Sequence, residues 1–227
     1  MDSFVGTSGW SYDWNRGGDL QWYVAQSGLN AVELNASFYR FPFENYVKNW
    51  RSRGEDLRWS VKVHRSITHN HKFDEHAADI WKRFQERFSP LDDLIDFYLF
   101  QTHPQFQDVG RIERFLRSIH LDDRSALEVR DPSMLADDEL CARLQQSAVL
   151  VSVDSPDFQN RIFPGDIIYL RMHGREDWYF HDYTKKELEE TVAHIRKGNP
   201  EKVFVFFNNN HHMVDNARVM RTLLNRR

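Results

Sequence analysis

The sequence predicts an α/β protein, a single (β/α)8 TIM-type barrel with a closed parallel sheet and outer helices. Three observations predict it. Eight short runs rich in Val, Ile, Phe, Tyr and Leu recur at near-even intervals, close to the size of a strand-helix-strand unit. Helix-patterned segments lie between them, and polar residues collect at the C-terminal ends of the runs. The runs are Phe4 to Ser8, Ala31 to Asn35, Arg58 to His64, Ile95 to Gln101, Ala126 to Arg130, Ala148 to Asp154, Ile167 to His173 and Lys202 to Asn208.

Each intervening element has its own signal. Asp74 to Phe88 places Ala77, Ile80, Trp81, Phe84 and Phe88 three and four residues apart behind an N-capping aspartate. Asp137 to Gln146, Lys185 to Arg196 and Asp215 to Leu224 repeat the pattern. Proline and glycine fall near strand ends, at Pro42, Pro104, Pro132, Pro156 and Gly174, rather than in one linker, so residues 1–227 are expected to form one domain. An open doubly wound sheet is the main alternative. It would normally carry a phosphate loop, and neither G-x-G-x-x-G nor G-x-x-x-x-G-K occurs.

Composition narrows the class. Of 227 residues, 41% are hydrophobic and 14% aromatic. That is enough for a sizeable core. No apolar run approaches a membrane span and no signal-like segment opens the chain, so a cytoplasmic protein without a membrane partner is expected. A lone Cys141 excludes an internal disulfide and a thiol-bound metal cluster. The net charge of −4 disfavours broad nucleic-acid binding, although a local basic mouth would permit it.

The candidate site comes from charges where buried strands should have none. Period-two alternation puts Glu33 with Asn35, Lys62 with His64, Glu128 with Arg130, and Tyr169 with Arg171 and His173, on one face of each run. Asp154 follows Ser152, and Asn208 follows Phe204 and Phe206. The plain structural alternative is a buried ion network among Glu33, Lys62, Glu128 and Arg130 that only fills the barrel. Repetition on several strands favours a site. Trp10, Tyr12 and Trp14 either line a pocket or simply pack, and His103 is expected to be an ordinary loop residue.

Other motifs carry less. Gly6-Thr7-Ser8-Gly9-Trp10 lacks the second glycine spacing of a nucleophile elbow. His69 with His71, or His211 with His212, has no spacing that fixes a metal. Glu33, Glu128, Asp154 and His173 would be a cation's ligands if one bound, but Lys62, Arg130 and Arg171 already neutralise them, so no metal is assigned.

Gly6-Thr7-Ser8-Gly9-Trp10 with Tyr12 and Trp14, Val32-Glu33-Leu34-Asn35 before Ser37-Phe38-Tyr39-Arg40, Ser60-Val61-Lys62 with Thr68-His69, Glu128-Val129-Arg130, Arg171-Met172-His173-Gly174, and Phe207-Asn208-Asn209 with Asn216-Ala217 form an ordered set. Together they resemble the YecE-like family, domain of unknown function 72, from Gly6 almost to the C-terminus. Gln101-Thr102-His103-Pro104 departs from that family's Q-x-P-P, and Met134 stands where tryptophan is usual. The resemblance implies a TIM-type barrel and supplies no reaction.

The expected function is an enzyme acting on a small anionic substrate, a phosphorylated sugar or nucleotide, with Glu33, Glu128 and His173 as catalytic residues. Trp10, Asn35, Tyr39, Lys62, His69, Gln101, Arg130, Asp154, Arg171 and Asn208 are the expected substrate-binding residues. Hydrolase, isomerase and lyase chemistry all stay open, and neither a cofactor nor an oligomeric state is specified. A glycosidase pair of Glu33 and Glu128 ranks lower, because nearby cations leave no general acid. The alternatives are a nucleic-acid-binding or phosphodiester-cleaving barrel, with Trp10, Tyr12 or Tyr39 stacking on bases, and a non-catalytic ligand-binding or regulatory protein.

Overall fold

The computed structural model describes residues 1–226. In chain order its strands and α-helices are β1 (Asp2–Thr7), α1 (Leu20–Gln26), β2 (Ala31–Leu34), α2 (Ala36–Tyr39), α3 (Glu44–Arg53), β3 (Arg58–Lys62), α4 (Glu75–Phe88), β4 (Ile95–Gln101), α5 (Val109–Ile119), β5 (Ser125–Glu128), α6 (Pro132–Ala136), α7 (Asp138–Leu144), β6 (Val149–Leu150), β7 (Ser152–Asp154), β8 (Ile167–Met172), α8 (Lys185–Lys197), β9 (Lys202–Phe207) and α9 (Met213–Leu224). The sheets have orders β1-β9-β8-β7 and β2-β3-β4-β5-β6. The strand pairs with a defined register are parallel. The result is an α/β fold with two parallel sheets and the strand-helix alternation of barrel-type proteins.

All eight expected runs carry strand. The sixth is divided at Val151: Val149–Leu150 pairs with β5, and Ser152–Asp154 pairs with β8. Asn35, His64, Arg130, His173 and Asn208 stand just past the strand ends. The chain forms two compact units, Met1–Glu33 with Arg53–Arg58 and Val151–Arg227, and Leu34–Ser52 with Trp59–Leu150.

In the first unit, β9 has only Lys202 exposed, because its Val and Phe residues are covered on both faces. Register places Gly6, Phe206, Arg171 and Val153 on one face, and Leu170 with Val205, and Met172 with Phe207, on the other. At Gly6 a Cβ would lie 2.2 Å from the Ala31 carbonyl oxygen, so glycine is required by the close approach of backbone. Thr184 and Glu187 close a capping box at the start of α8, whose buried stripe is Leu188, Thr191, Val192 and Ile195.

In the second unit, Asp74 caps α4 by accepting from the Ala77 N–H at 2.9 Å. Ala77, Trp81, Phe84 and Phe88 form its buried stripe. The Trp81 ring meets Tyr98 edge-on at 4.9 Å and Phe100 at 5.3 Å, while Phe115 of α5 reaches Phe100 at 5.8 Å. Val61, Tyr98 and Phe100 therefore belong to the helix-packed face. Burying each ring is worth about 1.5–3 kcal/mol.

Candidate functional site

The same register puts Lys62 beside Leu99, and Gln101 beside Glu128, on the face opposite Tyr98 and Phe100. Period-two alternation thus collects a cation, an amide and a carboxylate at the C-terminal ends of β3, β4 and β5. Glu128 is fully buried and accepts from Arg130 Nη1 at 2.9 Å. Arg130 is fixed from behind, its backbone N–H donating to Thr102 Oγ1 at 3.0 Å, while its side chain keeps 16% of its exposure. Lys62 Nζ lies 4.3 Å from the centre of the Phe38 ring, a cation–π contact. The Ser37 hydroxyl, one residue earlier, reaches the Lys62 carbonyl at 2.6 Å.

Phe38 also packs edge-on against His69 at 4.9 Å, and His69 against His103 at 5.5 Å. Burial pushes the His69 imidazole down to about 4, and the positive charges of His103, Lys62, Arg130 and Arg65 push the same way. His69 is therefore neutral at pH 7. Asn35 occupies the N-cap position of α2 without capping it, and its side-chain oxygen is buried with no hydrogen-bond donor among the described residues. Tyr39 turns outward, 64% exposed, and is not drawn into this group.

In the first unit Glu33 is fully buried. It accepts from Ser8 Oγ at 2.8 Å, Tyr169 Oη at 2.6 Å and Arg171 Nη2 at 2.7 Å, and Arg171 is as buried as its partner. A carboxylate held by three donors, one of them a guanidinium, has both of its oxygens satisfied. His173, also fully buried, continues the β8 ladder by donating its N–H to the Asp154 carbonyl at 2.8 Å. Its ring rests against Trp178 at 5.2 Å and Tyr179 at 5.9 Å, and its Nδ1 lies 3.4 Å from Asn208 Nδ2. Trp10 is half-buried in the loop after β1, its carbonyl accepting from Asn15 Nδ2 at 2.7 Å.

Asp154 goes elsewhere. It is in register with Met172, on the face opposite Arg171. Arg175 Nε donates to both its oxygens at 3.1 and 2.9 Å, and Arg175 Nη2 also reaches Thr191 of α8 at 3.3 Å. Burial raises the Asp154 carboxyl above its ordinary range even with Arg175 opposing it. The sequence grouped Asp154 with the substrate-binding residues; its carboxylate is instead committed to Arg175 and α8. A cation held jointly by Asp154 and Glu33 has no basis in this arrangement, since the two point to opposite faces.

The structure therefore brings together Lys62, His69, Gln101, Glu128 and Arg130 in one unit, and Glu33 with Arg171, and His173 with Asn208, in the other. Sequence reasoning missed Arg175, Ser8 as a donor to Glu33, and His103 as a ring neighbour of His69. Arg175 had a signal. It follows Gly174, the glycine that marks the end of the seventh run in the sequence, and the structure shows why glycine stands there: its φ is positive and a Cβ would lie 2.5 Å from the Asp177 carbonyl oxygen. The chain must turn sharply there and bring the next side chain back.

The model of the family described as Protein of unknown function DUF72 matches residues 4–227. No curated protein sequence matches. Among solved structures, a DUF72 family protein from Enterococcus faecalis V583 superposes with a TM-score of 0.82 at 22% identity, covering 99% of this chain and 96% of that one. A DUF72 family protein from Thermotoga maritima MSB8 gives 0.81 at 25% identity, with 100% of both chains covered. A xylose isomerase domain containing protein from Salmonella typhimurium LT2 gives 0.54 at 12% identity, covering 91% and 93%. The likenesses to the Enterococcus and Salmonella proteins concern the fold alone.

Proposed function

Since the chain belongs to the DUF72 family, proteins of unknown function, we propose its activity from its own residues: it is an enzyme acting on a small anionic substrate, a phosphorylated sugar or a nucleotide. The observation that carries this reading is the shared face of Lys62, Gln101 and Glu128, with Arg130 next to it, at the C-terminal ends of three neighbouring strands. Lys62 and Arg130 bind the anion, and their low exposure strengthens each contact relative to one made in water. Glu128 moves the proton, and the neutral His69 ring contributes an uncharged donor or acceptor. The buried Asn35 oxygen offers an acceptor to a substrate hydroxyl, which favours a sugar or nucleotide over inorganic anions.

The same proposal includes a single domain closed into a (β/α)8 barrel in the cytoplasm. The division of the sixth run between the sheets supports closure, as do the contacts from Asn30 to β1, where its N–H donates to the Val5 carbonyl and its side chain to the Ser3 carbonyl at 2.9 Å. An experimental structure with two open sheets would overturn that part.

The test of the site is calorimetric titration with inorganic phosphate. Lys62→Met keeps the stem over Phe38 and removes the charge, and should weaken binding by about 1.5–3 kcal/mol, the value of a charged hydrogen bond. Arg130→Ala should act in the same direction. Phosphate affinity untouched by both substitutions would reject the site.

A further inference from the structure

Away from these residues, the chain between β3 and α4 gathers a set of metal-ligand types on its own. His71, Asp74 and His76 each present a ligand atom within 4.8 Å of the others. Two imidazoles and one carboxylate are a donor set for zinc and its transition-metal neighbours rather than for magnesium or calcium, which take oxygen.

Local backbone makes the cluster. The π-helical turn Ser66–Asn70 ends with His71 donating its N–H to the Ser66 carbonyl. Lys72 and Phe73 then both adopt positive φ. That is an unfavourable choice for two consecutive side-chain-bearing residues. The reversal returns the chain so that Asp74 N–H bonds to the His71 carbonyl at 3.1 Å, bringing both side chains to one side. His76 follows in the first turn of α4, its ring stacked 5.6 Å from that of His71.

The carboxylate is divided between two tasks. Oδ1 of Asp74 caps α4 through the Ala77 N–H, while Oδ2 faces His71 Nδ1 at 3.2 Å. The cluster is reachable from solvent: His71 and Asp74 keep 38% and 30% of their side-chain exposure, His76 is exposed, and Asp74 and His76 line a cleft of about 600 Å³ with Phe73, Arg111 and Ser118. Positive charge opposes a cation, and Arg114 lines the same cleft as Arg111. Arg111 Nη2 sits 3.6 Å from Asp74 Oδ2, although that nitrogen already donates to the His71 carbonyl at 3.0 Å.

We propose that His71, Asp74 and His76 form a binding site for a zinc-class divalent ion, with Arg111 as a built-in competitor that sets its affinity. Three protein ligands leave a fourth tetrahedral position toward the cleft, where water or a ligand completes the sphere. Arg111 occupies the electrostatic place of the ion, so binding requires the guanidinium to draw back from Asp74 while it keeps its bond to the His71 carbonyl. The proposal uses none of the residues assigned to the anion site.

The experiment is zinc titration of the metal-stripped, tag-free full chain, with cobalt(II) absorption as a second readout of the ligand set. One equivalent should bind. His76→Ala, a change at an exposed position that leaves the buried stripe of α4 intact, should weaken binding at least about tenfold, in line with the loss of a metal-site group. Arg111→Met should tighten it, the outcome that separates a site with a competing cation from incidental histidine binding. Absence of saturable binding would overturn the proposal. So would stoichiometric binding indifferent to His76→Ala, or weakened by Arg111→Met.

Discussion

Glu33 with Arg171 and Glu128 with Arg130 are the same chemical pair at the ends of buried strands, yet the structure gives them different surroundings. Glu33 and Arg171 are both sealed, with Ser8 and Tyr169 adding two hydroxyl donors to the carboxylate. Beside Glu128, the Arg130 side chain keeps 16% exposure, Lys62 keeps 8%, and half-buried Gln101 and His69 stand nearby. Arg171 offers no exposed surface, whereas Arg130 and Lys62 both do. The difference teaches that a buried ion pair marks a site only when part of it meets the outside; otherwise it is a core network whose members hold one another.

The largest expected effect follows from that contrast. Arg171→Ala strands the Glu33 charge in the interior and should cost roughly 3–5 kcal/mol of stability. Denaturant melts measure the loss, and phosphate titration of the same variant should give the parental affinity. A small stability change together with lost phosphate binding would reverse the assignment and make Glu33 and Arg171 the site.

Tyr169→Phe is the gentler probe of the same network. It removes one donor to Glu33 while keeping the ring packed 5.1 Å from Phe206. The change should destabilise the protein by about 1.5–3 kcal/mol, the worth of a hydrogen bond to a charged group. An unchanged melting midpoint would show that the hydroxyl contributes nothing to holding Glu33 and would weaken the contrast between the two pairs.

Much of this contrast was half-legible in the sequence. Alternation set Lys62 and Glu128 apart from the apolar positions of their own runs, and the register agrees, because side-chain direction within a strand is fixed by its geometry. The N-cap at Asp74 and the helix behind it were legible for the same local reason. Alternation cannot say how far a strand end lies from solvent, so Arg171 and Arg130 read alike. Nor can it orient a run that breaks: the sixth run divides at Val151, and Asp154 ends on the face of Met172. Its partner Arg175 comes from a turn, where no period applies. Tyr39 was grouped with the binding residues by its motif, but a four-residue helix leaves its ring outside.

The smallest expected effect concerns Asp154, which tests whether its pair with Arg175 behaves as a sealed network or as an open one. Burial raises its carboxyl and Glu187 adds to the rise, while Arg175 and His181 oppose it. With the folded value above the unfolded one, near 3.9, the folded chain binds the proton more tightly. Its contribution to stability is then fully present below pH ~4 and is lost as pH rises through the folded value. Glu187, in the same cluster, is lowered on balance: burial raises it, but bonds from Thr184 and the charges of His181 and Arg175 outweigh that, so its contribution runs the opposite way and flattens the total. The Asp154 effect is therefore to be read as a difference. Asp154→Asn removes its titration, and wild-type stability relative to the variant should decline from about pH 4 upward and then level. A relative stability that climbs over this range would mean that Arg175 outweighs burial and that the ion pair, not desolvation, governs the Asp154 carboxyl.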